Sequence, residues 1–190
     1  MKYRADIDGL RAIAVVSVVM FHLEVAGFSG GYVGVDIFFV ISGFLITSII
    51  KHKYENHTFK LSDFYFRRVR RLVPPLIATV AATLLGAALI MTPYDMVAVS
   101  RSAVAALFSV SNVVFYFESG YWDAASELKP LLHTWSLGVE EQFYLFWPAL
   151  IVGLLSIRRY ISFGASLALI SLLGAALCVW FTSVDQSAAF

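Results

Sequence analysis

The sequence predicts an all-α protein, a polytopic bundle of transmembrane helices with about six spans, and three observations carry that prediction. Hydrophobic residues make up 59% of the 190 residues and charged ones only 14%, a balance far from that of soluble domains and close to that of membrane proteins. A bilayer-spanning helix needs roughly 20 mostly apolar residues, and the candidate runs are 10–27, 32–50, 72–92, 97–117, 137–156 and 161–183. Charge is also distributed unevenly: seven of the fourteen Lys and Arg lie between residues 51 and 71, opposed only by Glu55 and Asp63. By the positive-inside bias this loop faces the cytoplasm, which puts the N-terminus, with Lys2 and Arg4, on the same side and residues 29–32 outside. The net charge of +1 says nothing about partners.

The first run is interrupted near its start by Asp6, Asp8 and Arg11 and carries no Ala-x-Ala cleavage site, so it reads as a retained helix rather than a signal peptide. A charged residue at the centre of a membrane helix costs about 2.5 to 3.5 kcal/mol on insertion scales, so Asp8, Arg11, His22 and Glu24 need a reason. Eleven residues at about 100° each return to within about 20°, so Arg11 and His22 share a face roughly 16 Å apart along the axis. Asp8 lies close to the same stripe, whereas Glu24 points about 200° away from His22, toward the external end. The stripe has the form of a lined polar tunnel. A buried histidine bonded to a neighbouring helix is the plainer alternative, but ionisable groups inside a membrane are functional hypotheses by default.

In the second run Asp36 has three open readings: a partner for Arg11, an orienting group for His22, or a cap at an external helix end. Ser42 and Gly43 permit close helix approach. In "FRRVRRLVP", Arg67, Arg68, Arg70 and Arg71 precede Pro74 and Pro75. Prolines suit a first helical turn, which predicts the arginines at a helix N-terminus on the cytoplasmic surface, where backbone N–H groups also attract anions. Arginine's planar fork matches phosphate oxygens. A topology anchor on lipid headgroups is the alternative.

The fourth run contains Ser100, Arg101, Ser102, Ser109, Ser111 and Asn112. If it crosses the membrane whole, Arg158 and Arg159 fall outside, against the positive-inside rule; a broken or re-entrant segment is the other solution, permitted where protein or water covers the freed backbone. In the fifth run Glu140, Tyr144 and Trp147 lie on one side by their i, i+4, i+7 spacing, which points one carboxylate inward near His133 and Trp135. Cys178, the single cysteine, excludes an internal disulfide and a thiol metal cluster and reads as a packing residue.

Four segments, "DGLRAIAVVSVVMFH", "GYVGVDIFFVISGFLI", "FRRVRRLVP" and "LLHTWSLGVEEQFY", stand in the order in which similar motifs occur in the acyltransferase-3 family, and over residues 6–148 the chain resembles the N-terminal part of that family's membrane domain. The resemblance implies a membrane O-acyltransferase of the bacterial inner (cytoplasmic) membrane. It would move an acyl group, acetyl first, from cytoplasmic acyl-CoA to a hydroxyl of a surface polysaccharide or of lipopolysaccharide O-antigen.

The family's basic residue, ten residues and histidine correspond to Arg11 and His22, which implies His22 as catalytic base, acting directly in a ternary complex or becoming acylated itself and relaying the group across the bilayer. Its RxxR element corresponds to Arg68 and Arg71, with Arg67 and Arg70 as an offset copy, and implies contact with the acyl-CoA donor. Its Trp-Ser-Leu-x-x-Glu element corresponds to Trp135, Ser136, Leu137 and Glu140. Asp8, Asp36, Ser42 and Gly43 also fall on family-typical positions. Arg11, Asp8 and Asp36 are expected to hold the tautomer of His22 or stabilise an oxyanion, and Glu140 to meet the acceptor or carry a second proton.

Family membrane domains have about ten spans, and many members add an extracytoplasmic SGNH-type domain. Residues 1–190 are therefore expected to be the N-terminal portion of a longer membrane domain. The expected partners are the lipid bilayer and a carbohydrate acceptor, with no metal and no nucleic acid. Two rival readings remain at this level: a small-anion or proton transporter using the Arg11–His22 stripe, and a truncated non-catalytic membrane scaffold.

Overall fold

The computed structural model describes residues 4–118, 129–158 and 162–184, and every regular element among them is a helix. They form two compact units, Met1–Phe59 with Leu150–Val152, and Lys60–Ala149 with Gly153–Phe190. Arg159 lies outside the described residues.

The first unit is a helical hairpin of α1 (Ala5–His22) and α2 (Gly34–Glu55), joined through a single 3-10 turn at Gly31–Val33. Glycine makes the contact possible. A Cβ on Gly34 would lie 2.5 Å from the Ala14 carbonyl oxygen and 2.7 Å from Val18 Cγ2, and one on Gly31 would collide with the Ser17 carbonyl. Ala14 is fully buried, and Gly31, Gly34, Ile41 and Ser42 are buried as well; at the two glycines backbone meets backbone as in other small-residue membrane contacts.

α1 stops at His22 rather than continuing to residue 27. Val25 N–H donates to the Met20 carbonyl (3.0 Å) and Glu24 N–H to the Phe21 carbonyl (3.0 Å), while Glu24 takes a φ of 54°. This is a Schellman ending with a non-glycine residue at the left-handed position. The same arrangement closes α2 at His57 (φ 53°), where Thr58 N–H donates to the Lys53 carbonyl.

In the second unit, α3 (Leu61–Ile90) leads to α4 (Pro93–Leu107), α5 (Ser111–Glu118), α6 (Thr134–Ser156) and α7 (Phe163–Val184). Pro74 and Pro75 are inside α3, so the prediction that they open a helix is corrected: the helix starts 13 residues before Pro74, at Leu61, with Asp63 in its first turn, and the arginines are not at its N-terminus. The prolines remove the donors that the Arg70 and Arg71 carbonyls would otherwise receive, a defect that membrane helices tolerate. Thirty residues rise about 45 Å against a hydrocarbon thickness of about 30 Å, so the arginine-bearing end of α3 has length to spare beyond the hydrocarbon.

Thr92 caps α4 by accepting from Asp95 N–H (3.3 Å) and donating to the Asp95 carboxylate (2.7 Å), with Pro93 at the first position. The run 97–117 is divided between α4 and α5. Ser109 holds a φ of 56°, and Val110 N–H donates back to the Ala105 carbonyl, which is a third Schellman ending. The 15 residues of α4 rise about 22 Å, short of the hydrocarbon thickness, so the broken form of this segment is the one adopted. Val80, Ala103, Ala106 and Leu131 form a buried cluster flanked by Leu76 and Leu84.

Cys178 is exposed on α7, whose residues 171–184 are all exposed; the packing role read from its apolar surroundings is corrected, because apolarity on such a helix equally suits lipid. Among the described residues three segments are long and apolar enough to cross a membrane, Gly31–Glu55, Leu61–Ile90 and Phe163–Val184. The chain is a helical membrane protein.

Candidate active site

Two ion pairs near the start of the hairpin are local. Arg11 lies 3.6 Å from Asp8, one turn away on the same face of α1. Ahead of them Arg4 forms a fork on the Asp6 carboxylate, with bonds of 2.8 and 2.6 Å. That hydrogen-bonded guanidinium pulls the Asp6 carboxyl down to about 2.

His22 is the last residue of α1 and is exposed. Its Nδ1 lies 2.8 Å from the Val18 carbonyl oxygen. A carbonyl can only accept, so Nδ1 carries a proton, and in the neutral ring the lone pair is on Nε2. Phe21 meets the imidazole edge-on at 5.4 Å, and the Phe21 ring in turn meets the Tyr32 ring at 5.7 Å. The tautomer is thus set by the helix's own backbone, not by Asp8, which faces Arg11, nor by an ion pair with Asp36. Asp36 is exposed in the first turn of α2, where a carboxylate is favoured by the helix dipole, at the same end of the hairpin as His22. Arg11 is eleven residues away along α1.

The second unit brings charges together over a long stretch of sequence. Taking about 100° per residue, Arg70, Arg67 and Arg71 fall within about 100° of one another on α3, and Arg68 lies about 60° beyond Arg71, toward the side of Tyr65 and Leu72. Burial follows that phase. Arg67, Arg70 and Arg71 are exposed, whereas the Arg68 side chain is only 19% exposed. Its terminal nitrogen is 3.6 Å from Glu140, its Nε is 3.6 Å from Glu141, and its guanidinium carbon lies 3.1 Å above the centre of the Tyr144 ring.

The Tyr144 hydroxyl donates to Glu140, one turn back on α6. Both carboxylates therefore turn inward, where the helical spacing suggested one. Arg68 Nε and Glu141 Oε1 are buried and make no hydrogen bond; at 3.6 Å they attract as charges only. Tyr65 adds a neutral bond between the same helices, its hydroxyl donating 2.6 Å to the Leu145 carbonyl, beside Tyr144, whose own carbonyl loses its helical donor to Pro148.

A polar joint that the sequence reading only partly caught binds α5 to the start of α6. Ser111 Oγ donates to the Thr134 carbonyl (2.7 Å), and the amides of Asn112 and Gln142 exchange bonds of 3.4 and 2.9 Å. Gln142 also donates 2.9 Å to the Ser109 carbonyl at the helix break. Gly138 leaves room for this: a Cβ there would lie 2.9 Å from Asn112 Oδ1. The polar residues of run 97–117 signalled the break; Gln142, next to the two glutamates of α6, was the missed signal for its partner. Among the described residues no three His, Cys, Asp or Glu side chains gather to hold a metal ion.

Together these features define an all-helical membrane protein with an oriented imidazole on one helix and a partly buried arginine–carboxylate cluster on two others. The family model described as "Acyltransferase domain" matches residues 4–190, and the chain belongs to that acyltransferase family. It is 41% identical over 153 residues to a peptidoglycan O-acetyltransferase, OatA, of Listeria monocytogenes, covering 80% of this chain and 24% of that one. To an O-acetyltransferase OatA of Staphylococcus aureus it is 38% identical over 189 residues, covering 98% of this chain and 31% of the relative. The chain thus spans under a third of the length of these curated relatives. No solved structure matches it.

Proposed function

We propose that this chain belongs to a membrane O-acetyltransferase that moves an acetyl group from cytoplasmic acetyl-CoA to a sugar hydroxyl of the cell envelope. The Listeria relative is named for peptidoglycan, and that favours a peptidoglycan sugar over the O-antigen acceptor expected from the wider family resemblance. In this reading the protein lies in the bacterial inner membrane with its N-terminus in the cytoplasm.

The observation that carries the proposal is the His22 imidazole, held by the Val18 carbonyl at 2.8 Å with its Nε2 lone pair available. A sugar hydroxyl is a weak nucleophile near neutral pH, and a histidine titrates where a general base is most effective. Nε2 accepts the hydroxyl proton as the sugar oxygen attacks the thioester carbonyl carbon. The tetrahedral oxyanion then collapses, the carbon–sulfur bond breaks, and the imidazolium returns the proton to the departing CoA sulfur. With the N-terminus in the cytoplasm, α1 carries Asp8 and Arg11 near the donor side and places His22 and the first turn of α2, with Asp36, toward the acceptor side. The exposed face of Arg67, Arg70 and Arg71 supplies charge for donor phosphates.

The test is transfer itself. Membranes containing the full-length protein are given acetyl-labelled acetyl-CoA with either peptidoglycan precursor or lipopolysaccharide, and alkali-labile label on the sugar is measured. Label is expected on the peptidoglycan precursor, and His22→Ala is expected to lower the rate by about 100-fold or more, the usual contribution of a positioned base. Undiminished transfer by that variant removes His22 as the base; label only on lipopolysaccharide reverses the acceptor assignment.

A further inference from the structure

The four arginines of the "RRVRR" segment do not occupy equivalent surroundings. Arg67, Arg70 and Arg71 are exposed, and among the described residues none of them forms an ion pair. Arg68 faces two carboxylates at 3.6 Å each, and its guanidinium carbon lies 3.1 Å from the centre of the Tyr144 ring. Two anionic groups and an aromatic face already meet one guanidinium, so a donor phosphate approaching Arg68 must displace a carboxylate from a partly buried site, and charge separation there is costly. The same phosphate meets the other three arginines with no rival.

We infer that the arginines divide their work: Arg68 is a positioning residue that locks α3 against α6 through Glu140, Glu141 and Tyr144, while Arg67, Arg70 and Arg71 form the anion-recognition face for the donor phosphates. The inference rests on the donor reading given above. It assigns Glu141 and Tyr144 a role through Arg68, not through contact with the reacting atoms. The lock requires a planar, delocalised cation, since only arginine can stack on a ring while presenting several N–H groups to two carboxylates.

The experiment compares acetyl-CoA with acetyl-pantetheine, a thioester that lacks every donor phosphate, on the full-length protein in membranes. Arg71→Ala is expected to raise KM about tenfold for acetyl-CoA, the order of one charged hydrogen bond, and to leave KM for acetyl-pantetheine unchanged. Arg68→Met is expected to lower kcat for both donors by the same factor, with no selective change in the acetyl-CoA KM. Arg68→Lys, which keeps the charge but not the plane, should fail to restore kcat. Tyr144→Leu should reproduce the Arg68→Met effect, because it removes the ring face that the guanidinium meets.

If Arg68→Met does not fold, Arg68→Met/Glu141→Gln removes one of the two charges left behind and takes its place. A selective rise of the acetyl-CoA KM in Arg68→Met, restored by Arg68→Lys, overturns the inference by making Arg68 a phosphate ligand. A parent protein that consumes no acetyl-CoA sinks the donor reading instead. In that case the lock is still read from the thermal midpoints of Arg68→Met, Glu141→Gln and their double variant, where additive losses overturn it and non-additive losses support it.

Discussion

The α1–α2 hairpin and the α3–α6 region solve the same problem, holding polar groups in an apolar chain, by opposite means. In the hairpin the helices touch through backbone at Gly31 and Gly34, and the charged side chains near its start pair with neighbours two or three residues away. Between α3 and α6 the backbones are tied by long side chains, Arg68 to Glu140 and Glu141 and Tyr65 to the Leu145 carbonyl. The first arrangement keeps His22 exposed and oriented by its own helix. The second buries charge and depends on every member of the cluster. Removing a side chain should therefore matter little for the fold of the hairpin and much for the α3–α6 region, while adding one should do the reverse.

The largest stability effect is expected from Gly34→Val. Even the Cβ of the new residue would press on the Ala14 carbonyl, so α1 and α2 must separate; overpacking of this kind costs about 1 to 3 kcal/mol, occasionally more. Denaturant unfolding in detergent should show the loss, with His22→Ala as the control that leaves stability within about 0.5 kcal/mol, as for other exposed positions. A tolerated Gly34→Val would mean that the hairpin is not held by backbone contact.

Gln142→Leu probes the contrasting region. It strips the donor from the Ser109 carbonyl and from Asn112, and an orphaned buried polar group costs about 1 to 3 kcal/mol in water-soluble proteins. Hydrogen bonds between membrane helices average nearer 0.6 kcal/mol with a maximum about 1.7, so a loss of about 1 kcal/mol is expected. A double-mutant cycle with Asn112→Leu should return a coupling of about 0.6 kcal/mol or more; a coupling of zero would show that the two amides do not act together.

These regions also differ in how far the sequence disclosed them. Helical phase alone placed Asp8 next to Arg11 and Tyr144 on the side of Glu140, because those pairs are fixed by a 3.6-residue period. The polar content of residues 97–117 disclosed a break. The tie between Arg68 and Glu140 and Glu141 was not visible, since 72 and 73 residues separate the partners and no period connects two different helices. Phase did hold a hint: Arg68 points away from the other three arginines, toward the buried side of α3.

The helix ends were misjudged for a related reason. Glu24, His57 and Ser109 adopt left-handed backbone conformations that normally call for glycine, so the run 10–27 read as helix well past His22. The prolines misled in the other direction, since their preference for a first turn gives way in α3 to a helix already started upstream.

Those three endings give a prediction that sharpens the comparison with a gain instead of a loss. A non-glycine residue in the left-handed region is held there at a cost of about 1 to 2 kcal/mol, partly offset because glycine adds freedom to the unfolded chain. Glu24→Gly and His57→Gly should each stabilise by about 0.5 kcal/mol. Ser109→Gly should gain less, because the Gln142 bond to the Ser109 carbonyl already constrains that residue. Equal gains at all three sites would indicate that the α5–α6 joint adds no restraint to the break.

The smallest effect belongs to the most exposed pair. The Arg4 fork on Asp6 lowers the Asp6 carboxyl from 3.8 to about 2, so its contribution is complete above about pH 4, the unfolded value. It is lost as pH falls through about 2, because a depressed folded pKa means that the native state binds the proton less readily than the unfolded chain. Carbon-13 titration of labelled aspartate in micelles should place Asp6 near 2 in the parent and return it toward 4 in Arg4→Gln. Raising the salt to about 1 M, where the Debye length falls to about 3 Å, should shrink the remaining Coulombic part of the shift. An unchanged titration in Arg4→Gln would show that the helix N-terminus, not the guanidinium, lowers this carboxyl, and with it that even the hairpin's local pairs owe their charge state to the backbone.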